Sequence, residues 1–326
     1  LTIIMWTRPT FTDILRARGR IAPYLIRTPL HRYASLSKLL GFEAYVKHEN
    51  FQPTGAFKIR GGITLIAQLS PEERRRGVIT ASTGNHGQSI AYASRLFGVK
   101  AVICVAENAN PDKVEAIRSF GAEIVAEGRD FEDARLNAER LAEERGYRYI
   151  HSGNEPHLIA GVGTIGLEII EDLPDVDAII VPVGGGSCAA GISTVVRAAA
   201  PDVKVIAVQA EGAPSVYLSW KKGEIVATES ADTMADGLAT RRAFELPLEI
   251  MRDQVDDFVL VSEEEIIDAI RLYVEKAHTI AEGAGAASLA AGYKIRERLR
   301  GKKVAMVLSG GNITADMLRS ILCKKE

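Results

Sequence analysis

Three segments of this 326-residue chain place reactive or anion-binding residue types at the starts of helical patterns. In Lys47-His48-Glu49-Asn50-Phe51-Gln52-Pro53-Thr54-Gly55-Ala56-Phe57-Lys58-Ile59-Arg60-Gly61-Gly62, a lysine, Lys58, follows an aromatic residue and opens an apolar run. Such a lysine is either a surface cation with a snorkelling stem or an amine whose desolvation favours a Schiff base with a carbonyl. Residue type alone favours the surface cation. In Ser82-Thr83-Gly84-Asn85-His86-Gly87-Gln88, small polar residues lie between an apolar strand and a helical stretch expected over Ser89–Phe97. Amides at such a helix start make a pocket of carboxylate size, although an ordinary N-cap uses the same residue types. His86 by itself reads as a hydrogen-bonded structural histidine. In the third segment an apolar strand, Asp177 to Val183, delivers Gly184-Gly185-Gly186-Ser187 to a small-residue helix, Cys188–Ala200. Glycines let backbone N–H groups close around an anion, the helix dipole adds positive potential, and Ser187 adds a hydroxyl. A tight turn with close helix–strand packing accounts for the same residues.

The nucleotide-binding alternatives are not met. The Gly-x-x-x-x-Gly-Lys-[Ser/Thr] loop is absent. A Gly-x-Gly-x-x-Gly string occurs at Gly161, Gly163 and Gly166. It follows no apolar strand, and no acidic residue ends a second strand at the required distance, so it reads as a decoy.

The elements that must carry these loops are short β-branched runs alternating with longer amphipathic ones. Strands are expected at Ala44–Lys47, Val78–Ala81, Ala101–Val105, Glu123–Val125, Ala178–Val183, Val203–Gln209, Asp257–Val261 and Val304–Leu308. Asp130–Arg145, Glu263–Ala277 and Ile313–Cys323 carry helical spacing; Pro111 fits a first helical position, and Gly121 and Gly146 fit helix stops. This alternation predicts an α/β fold of parallel sheets covered by helices, with ligands beyond the carboxyl ends of the strands.

Composition narrows the partners. A formal net charge of −2 gives no general attraction to nucleic acid or to an anionic membrane. The basic run Arg74-Arg75-Arg76 follows Glu72-Glu73 and reads as a solvated helix end. Cys104, Cys188 and Cys323 are too scattered for a disulfide framework or a zinc site. No apolar stretch approaches membrane-spanning length and the N-terminus has no signal-peptide pattern, so a cytoplasmic protein is expected.

Four blocks in order resemble the β-family (fold type II) of pyridoxal-phosphate (PLP) enzymes: Glu49 to Arg60, Ser82 to Gln88, Val181 to Ser187, and Leu308-Ser309-Gly310-Gly311-Asn312. They are most similar to serine/threonine dehydratases (threonine ammonia-lyases), and the likeness covers nearly the whole chain. The resemblance implies two open twisted, mainly parallel sheets with helices on both faces. The cofactor would lie between a large domain (residues 1–60 and 150–326) and a small mobile one (61–149). It implies that Lys58 holds the cofactor as a Schiff base and later moves the substrate Cα proton. Phe57 would pack the ring, Gly184, Gly185, Gly186 and Ser187 would hold the phosphate, and Asn85 would meet the phenolic oxygen. Ser82, Thr83, Gly84, Asn85 and His86 would cradle the substrate carboxylate, and Ser309 would meet the pyridine nitrogen. A neutral serine there does not enforce ring protonation, which suits elimination over transamination.

The activity implied is dehydration and deamination of L-threonine to 2-oxobutanoate, of L-serine to pyruvate, or of both. Thr83 stands where racemases of this fold carry a serine acid/base, which keeps serine racemisation open. Dehydration of 3-hydroxyaspartate and, less well matched, threonine synthesis remain alternatives; so does a non-catalytic binder, against which Lys58, Asn85 and Ser309 together argue. Ser187 departs from the fourth glycine of many dehydratases. Glu211 matches a divalent-cation ligand of some relatives, but Tyr217 stands where a second acid is expected, so no dedicated metal is assigned. A homodimer or larger homo-oligomer without a C-terminal regulatory domain completes the expectation.

Overall fold

The strand segments Val78–Ala81, Ala101–Val105 and Ala178–Pro182 are buried along their whole length, as parallel strands covered on both faces require, and helices such as Pro71–Arg76 and Phe131–Arg145 carry explicit start and stop signals. The computed structural model describes residues 7–323. The chain runs α1 (Phe11–Ile21), β1 (Leu30–Arg32), α2 (Ala34–Leu40), β2 (Glu43–His48), α3 (Lys58–Ile66), α4 (Pro71–Arg76), β3 (Val78–Ala81) and α5 (Asn85–Leu96). It continues through β4 (Ala101–Val105), α6 (Pro111–Ser119), β5 (Glu123–Ala126), α7 (Phe131–Arg145), β6 (Arg148–Tyr149), α8 (Pro156–Asp172), β7 (Ala178–Pro182) and α9 (Ser187–Ala199). β8 (Lys204–Ala210), α10 (Ser215–Lys222), α11 (Glu245–Gln254), β9 (Asp257–Val261), α12 (Glu263–Ala277), α13 (Gly283–Lys294), β10 (Lys303–Leu308) and α14 (Ala315–Cys323) follow.

Two compact units result. One comprises residues up to Leu25 together with Lys58–Val162; the other comprises Ile26–Phe57 and everything from Gly163. The packing thus groups α1 with residues 58–162, whereas the sequence had left the N-terminal stretch in the larger domain. The first unit holds a parallel sheet of order β5-β4-β3-β6. Ile59, Ile63, Ile90 and Ile103 pack on one side of it, and Ala134, Ala138 and Leu141 of α7 on the other. The second holds a sheet of order β1-β2-β10-β7-β8-β9, parallel except for the β1 edge. Its core joins strand residues such as Val46, Ile180, Val208 and Met306 to α12 and α13.

Helix signals read from the sequence are used at several ends. Asn110 caps α6 with Pro111 at its first position, and Gly146 stops α7 in the left-handed conformation. Arg74, Arg75 and Arg76 form the last turn of α4, behind a Ser70–Glu73 capping box. The short β1 and β6 carry no strong pattern of their own and were not anticipated. The helix α5 begins at Asn85, four residues earlier than expected. Small polar residues read as loop, but Gly87 is drawn into the helix by close packing: a Cβ there would stand 2.6 Å from the Ser82 carbonyl oxygen and 3.0 Å from Ile117.

Candidate functional site

In the first unit, Lys58 is the first residue of α3, and its carbonyl accepts a hydrogen bond from Ser89 Oγ of α5 at 2.8 Å. The two helices touch closely because Gly62 has no side chain; a Cβ there would lie 2.3 Å from Ser89 Oγ. Lys58 is thus anchored on a rigid helix pair rather than on a surface loop, and it is only half-exposed. The neighbouring loop runs from β3 into α5. Ser82 N–H donates to the carbonyl of Cys104 and Ser82 Oγ accepts from Gly84 N–H at 3.2 Å. Gly84 is the N-cap and no side chain caps the helix, so the plain N-cap reading of Ser82, Thr83 and Asn85 does not apply. The start of α5 therefore lies beside a cluster of half-buried residues, Ser82 to Asn85.

His86 is buried on the second position of α5. Thr80 Oγ1 donates to the Ile150 carbonyl at 2.7 Å, so it accepts from His86 Nε2–H at 3.1 Å. That assignment makes Nδ1 an acceptor, and it is buried with no protein partner. Burial, helped by the charges of Lys58 and His151, pushes the ring down to about 3, so it is neutral.

In the second unit, the glycine loop links β7 to α9. A Cβ on Gly184 would lie 2.0 Å from the Gly237 carbonyl oxygen, and one on Gly185 would lie 2.3 Å from the Phe244 ring. Gly186 has φ +91°, where side chains are strained, and a Cβ would press on Met251 and Pro247. Ser187 is buried as the first residue of a 13-residue helix whose N-cap, Gly186, offers no side chain. Close packing thus accounts for the glycines themselves. The helix start that follows them carries no side-chain cap, the type of site at which anions are held.

Ser309 is buried just beyond β10. Its carbonyl accepts from the backbone N–H of Phe57, the residue before Lys58, at 2.9 Å. Glu282, the N-cap of α13, donates its N–H to Gly310 at 3.1 Å and sets its carboxylate against that glycine. Glu211 is held by the Lys294 ammonium at 3.0 Å, and the same ammonium bonds Glu265 at 2.9 Å. The decoy string lies inside α8, where Gly161 packs against the Arg60 carbonyl and Gly166 against Ile192. Two contributors had no role assigned from sequence: Asn312, which ends the fourth block and bonds the Thr54 carbonyl, and Phe244, which backs the glycine loop. Asn312 had the motif block as its signal, whereas Phe244, remote in sequence from the glycine loop, had none.

These residues fit the cofactor that the resemblance implies. Taken one by one, an anchored lysine, a glycine loop ending in a helix start without a side-chain cap, and a buried neutral serine are the residue types that would serve as amine, phosphate and ring-nitrogen partners. The buried His86 Nδ1 is a polar atom that the protein alone does not satisfy.

Residues 21–310 match the family described as pyridoxal-phosphate dependent enzyme. The L-threonine ammonia-lyase of Thermotoga maritima is 45% identical over 97% of this chain and 78% of that protein. The catabolic L-threonine dehydratase of Escherichia coli is 37% identical over 95% of this chain and 94% of its own length. Among solved structures, maize serine racemase superposes with a TM-score of 0.92 at 33% identity, covering 97% of each chain. The processed threonine deaminase isoform 2 of Solanum lycopersicum gives 0.90 at 33%, covering 97% of this chain and 95% of its own. A family model that matches residues 21–310, and a relative 45% identical over 97% of the chain, make this protein a member of the pyridoxal-phosphate dependent enzyme family.

Proposed function

We infer that this protein is an ammonia-lyase that dehydrates and deaminates a β-hydroxy amino acid, converting L-threonine to 2-oxobutanoate and L-serine to pyruvate. The observation that carries the reading is the 45% identity to a threonine ammonia-lyase across 97% of the chain. Lys58 would attach the cofactor covalently, the Gly184–Ser187 amides would hold its phosphate, Asn85 its phenolic oxygen and Ser309 its ring nitrogen. When bound, the cofactor supplies the electron sink that weakens bonds at the substrate α-carbon. The substrate carboxylate would be taken by the α5 helix start, using backbone N–H groups and the hydroxyls of Ser82 and Thr83. His86 would contribute its amide but not a positive ring, because its imidazole is neutral and donates to Thr80. The amine of Lys58, freed when substrate binds, would act as general base on the Cα proton. Loss of the β-hydroxyl as water then gives an enamino acid that hydrolyses to 2-oxo acid and ammonia. The same reading makes the protein a cytoplasmic homodimer or larger assembly.

The test is oxo-acid formation by the purified holoenzyme with L-threonine and, in parallel, L-serine. Oxo acid is expected from both. Lys58→Ala is expected to lose covalent cofactor and turnover together, and full activity in that variant would sink the assignment. Thr83, with its hydroxyl at the head of α5, and the 0.92 superposition on a serine racemase favour racemisation as a second activity. Formation of D-serine that falls in Thr83→Ala while pyruvate persists is the outcome that reading requires.

A further inference from the structure

The segment that leads into Lys58 is tied to the segment carrying Ser309 by a short antiparallel ladder. Phe57 N–H donates to the Ser309 carbonyl and Gly311 N–H to the Gly55 carbonyl, both at 2.9 Å, with Ala56 paired to Gly310 between them. Two exchanged bonds make a marginal ladder. Its open end is closed by one side chain: Asn312 Nδ2 donates to the Thr54 carbonyl at 2.8 Å. Thr54 is buried, so that carbonyl needs a donor. The other end of the Asn312 amide lies over Gly55, where a Cβ would stand 2.4 Å from Oδ1. Gly55 has φ +67° and turns the chain toward Phe57 and Lys58. Asn312 thus satisfies Thr54, covers the turn at Gly55 and closes the ladder that fixes Phe57 on Ser309.

We propose that Asn312 is a positioning residue for the reaction: it latches segment 54–57 to Ser309 and so sets where the peptide entering Lys58 starts. The proposal rests on the assignment of Lys58 as the cofactor lysine. Asn312 touches no reacting atom in this role and acts through the 54–57 segment.

The experiment compares holoenzymes of wild type, Asn312→Ala and Asn312→Asp by visible absorbance and circular dichroism of the lysine-bound cofactor, and by kcat and KM for L-threonine. Asn312→Ala is expected to keep its cofactor, change the visible dichroism, and lose about tenfold to a hundredfold in kcat with KM within about threefold, as misplacement of a reacting group does. Asn312→Asp keeps the shape but replaces the donor with an acceptor. Its activity relative to wild type is expected to rise as pH falls, because a protonated carboxyl can again donate to Thr54. A purely structural role predicts no such rescue. Wild-type kcat and dichroism in folded Asn312→Ala overturn the latch. If that variant does not fold, a wild-type kcat and pH profile in Asn312→Asp overturn it instead. Wild-type protein without lysine-bound cofactor brings down the Lys58 assignment, and the latch with it; failure of the latch alone leaves the wild-type spectrum intact.

Discussion

Two histidines on this chain are neutral because they are buried and hydrogen-bonded by neutral partners. His86 donates to Thr80, while His48 accepts from Tyr33 Oη at 3.0 Å on Nε2 and donates from Nδ1 to Asn50 Oδ1 at 3.2 Å. Asn50 must accept there, because its Nδ2 is committed to Thr279 and the Ile280 carbonyl. Burial lowers His48 to about 4 and His86 to about 3. The unfolded chain therefore takes up these protons first, below about pH 6.5, while the folded protein resists. Stability from this source is full above that pH and falls as pH drops toward the folded values. At pH 5 the loss is about 1–2 kcal/mol per histidine relative to pH 7.5. Urea unfolding across this range checks it: His48→Asn is expected to flatten the acid limb, and an unchanged limb contradicts the assignment. Lys58, the proposed cofactor lysine, belongs to the same scale. From sequence its type favoured a surface cation, and what removes it from that class is its place at the start of α3, bonded through its carbonyl to α5.

Packing between elements explains the glycines that looked like a nucleotide fingerprint. Gly161 is where α8 meets α3; a Cβ would stand 2.5 Å from the Arg60 carbonyl oxygen and 2.7 Å from Gly61 Cα. Backbone atoms cannot yield as a flexible side chain can. Gly161→Ala is therefore expected to destabilise by about 1–3 kcal/mol in chemical denaturation, despite alanine's better helix propensity. A stabilised variant would show that the contact is slack. A second junction joins the ends of β8, α12 and α13, where Lys294 bridges Glu211 and Glu265, and Glu265 also completes the Ser262 capping box. The ammonium already supplies Glu211 with positive charge, so exhaustive treatment with a chelator is expected to leave oxo-acid production and thermal stability unchanged. Loss restored by magnesium or calcium would instead mean that a cation displaces Lys294.

At the scale of the whole molecule, each unit has its own sheet and its own core, and protection should follow sheet position. Amides of β7 and β10 in one sheet, and of β3 and β4 in the other, are expected to exchange slowest. The edge strands β1, β9, β5 and β6 should exchange sooner in hydrogen-exchange measurements. Equal protection of edge and centre would contradict the strand order. Much of this architecture was readable in advance. Val78–Ala81, Ala101–Val105, Asp257–Val261 and α12 stand where their apolar periodicity and caps put them, because those signals are local. The four motif blocks were legible for the same reason, since each occupies a short stretch of chain. Sequence by itself thus determined the parallel α/β class, the family and the identity of the candidate lysine, glycine loop and serine. Only tertiary structure decided the rest: the grouping of α1 with residues 58–162, the β1 edge, the start of α5, the neutral state of His86 and the closure of segment 54–57 by Asn312. Each depends on burial or on a partner distant in sequence — 258 residues in the case of Thr54 and Asn312 — and no local pattern encodes which distant group will arrive.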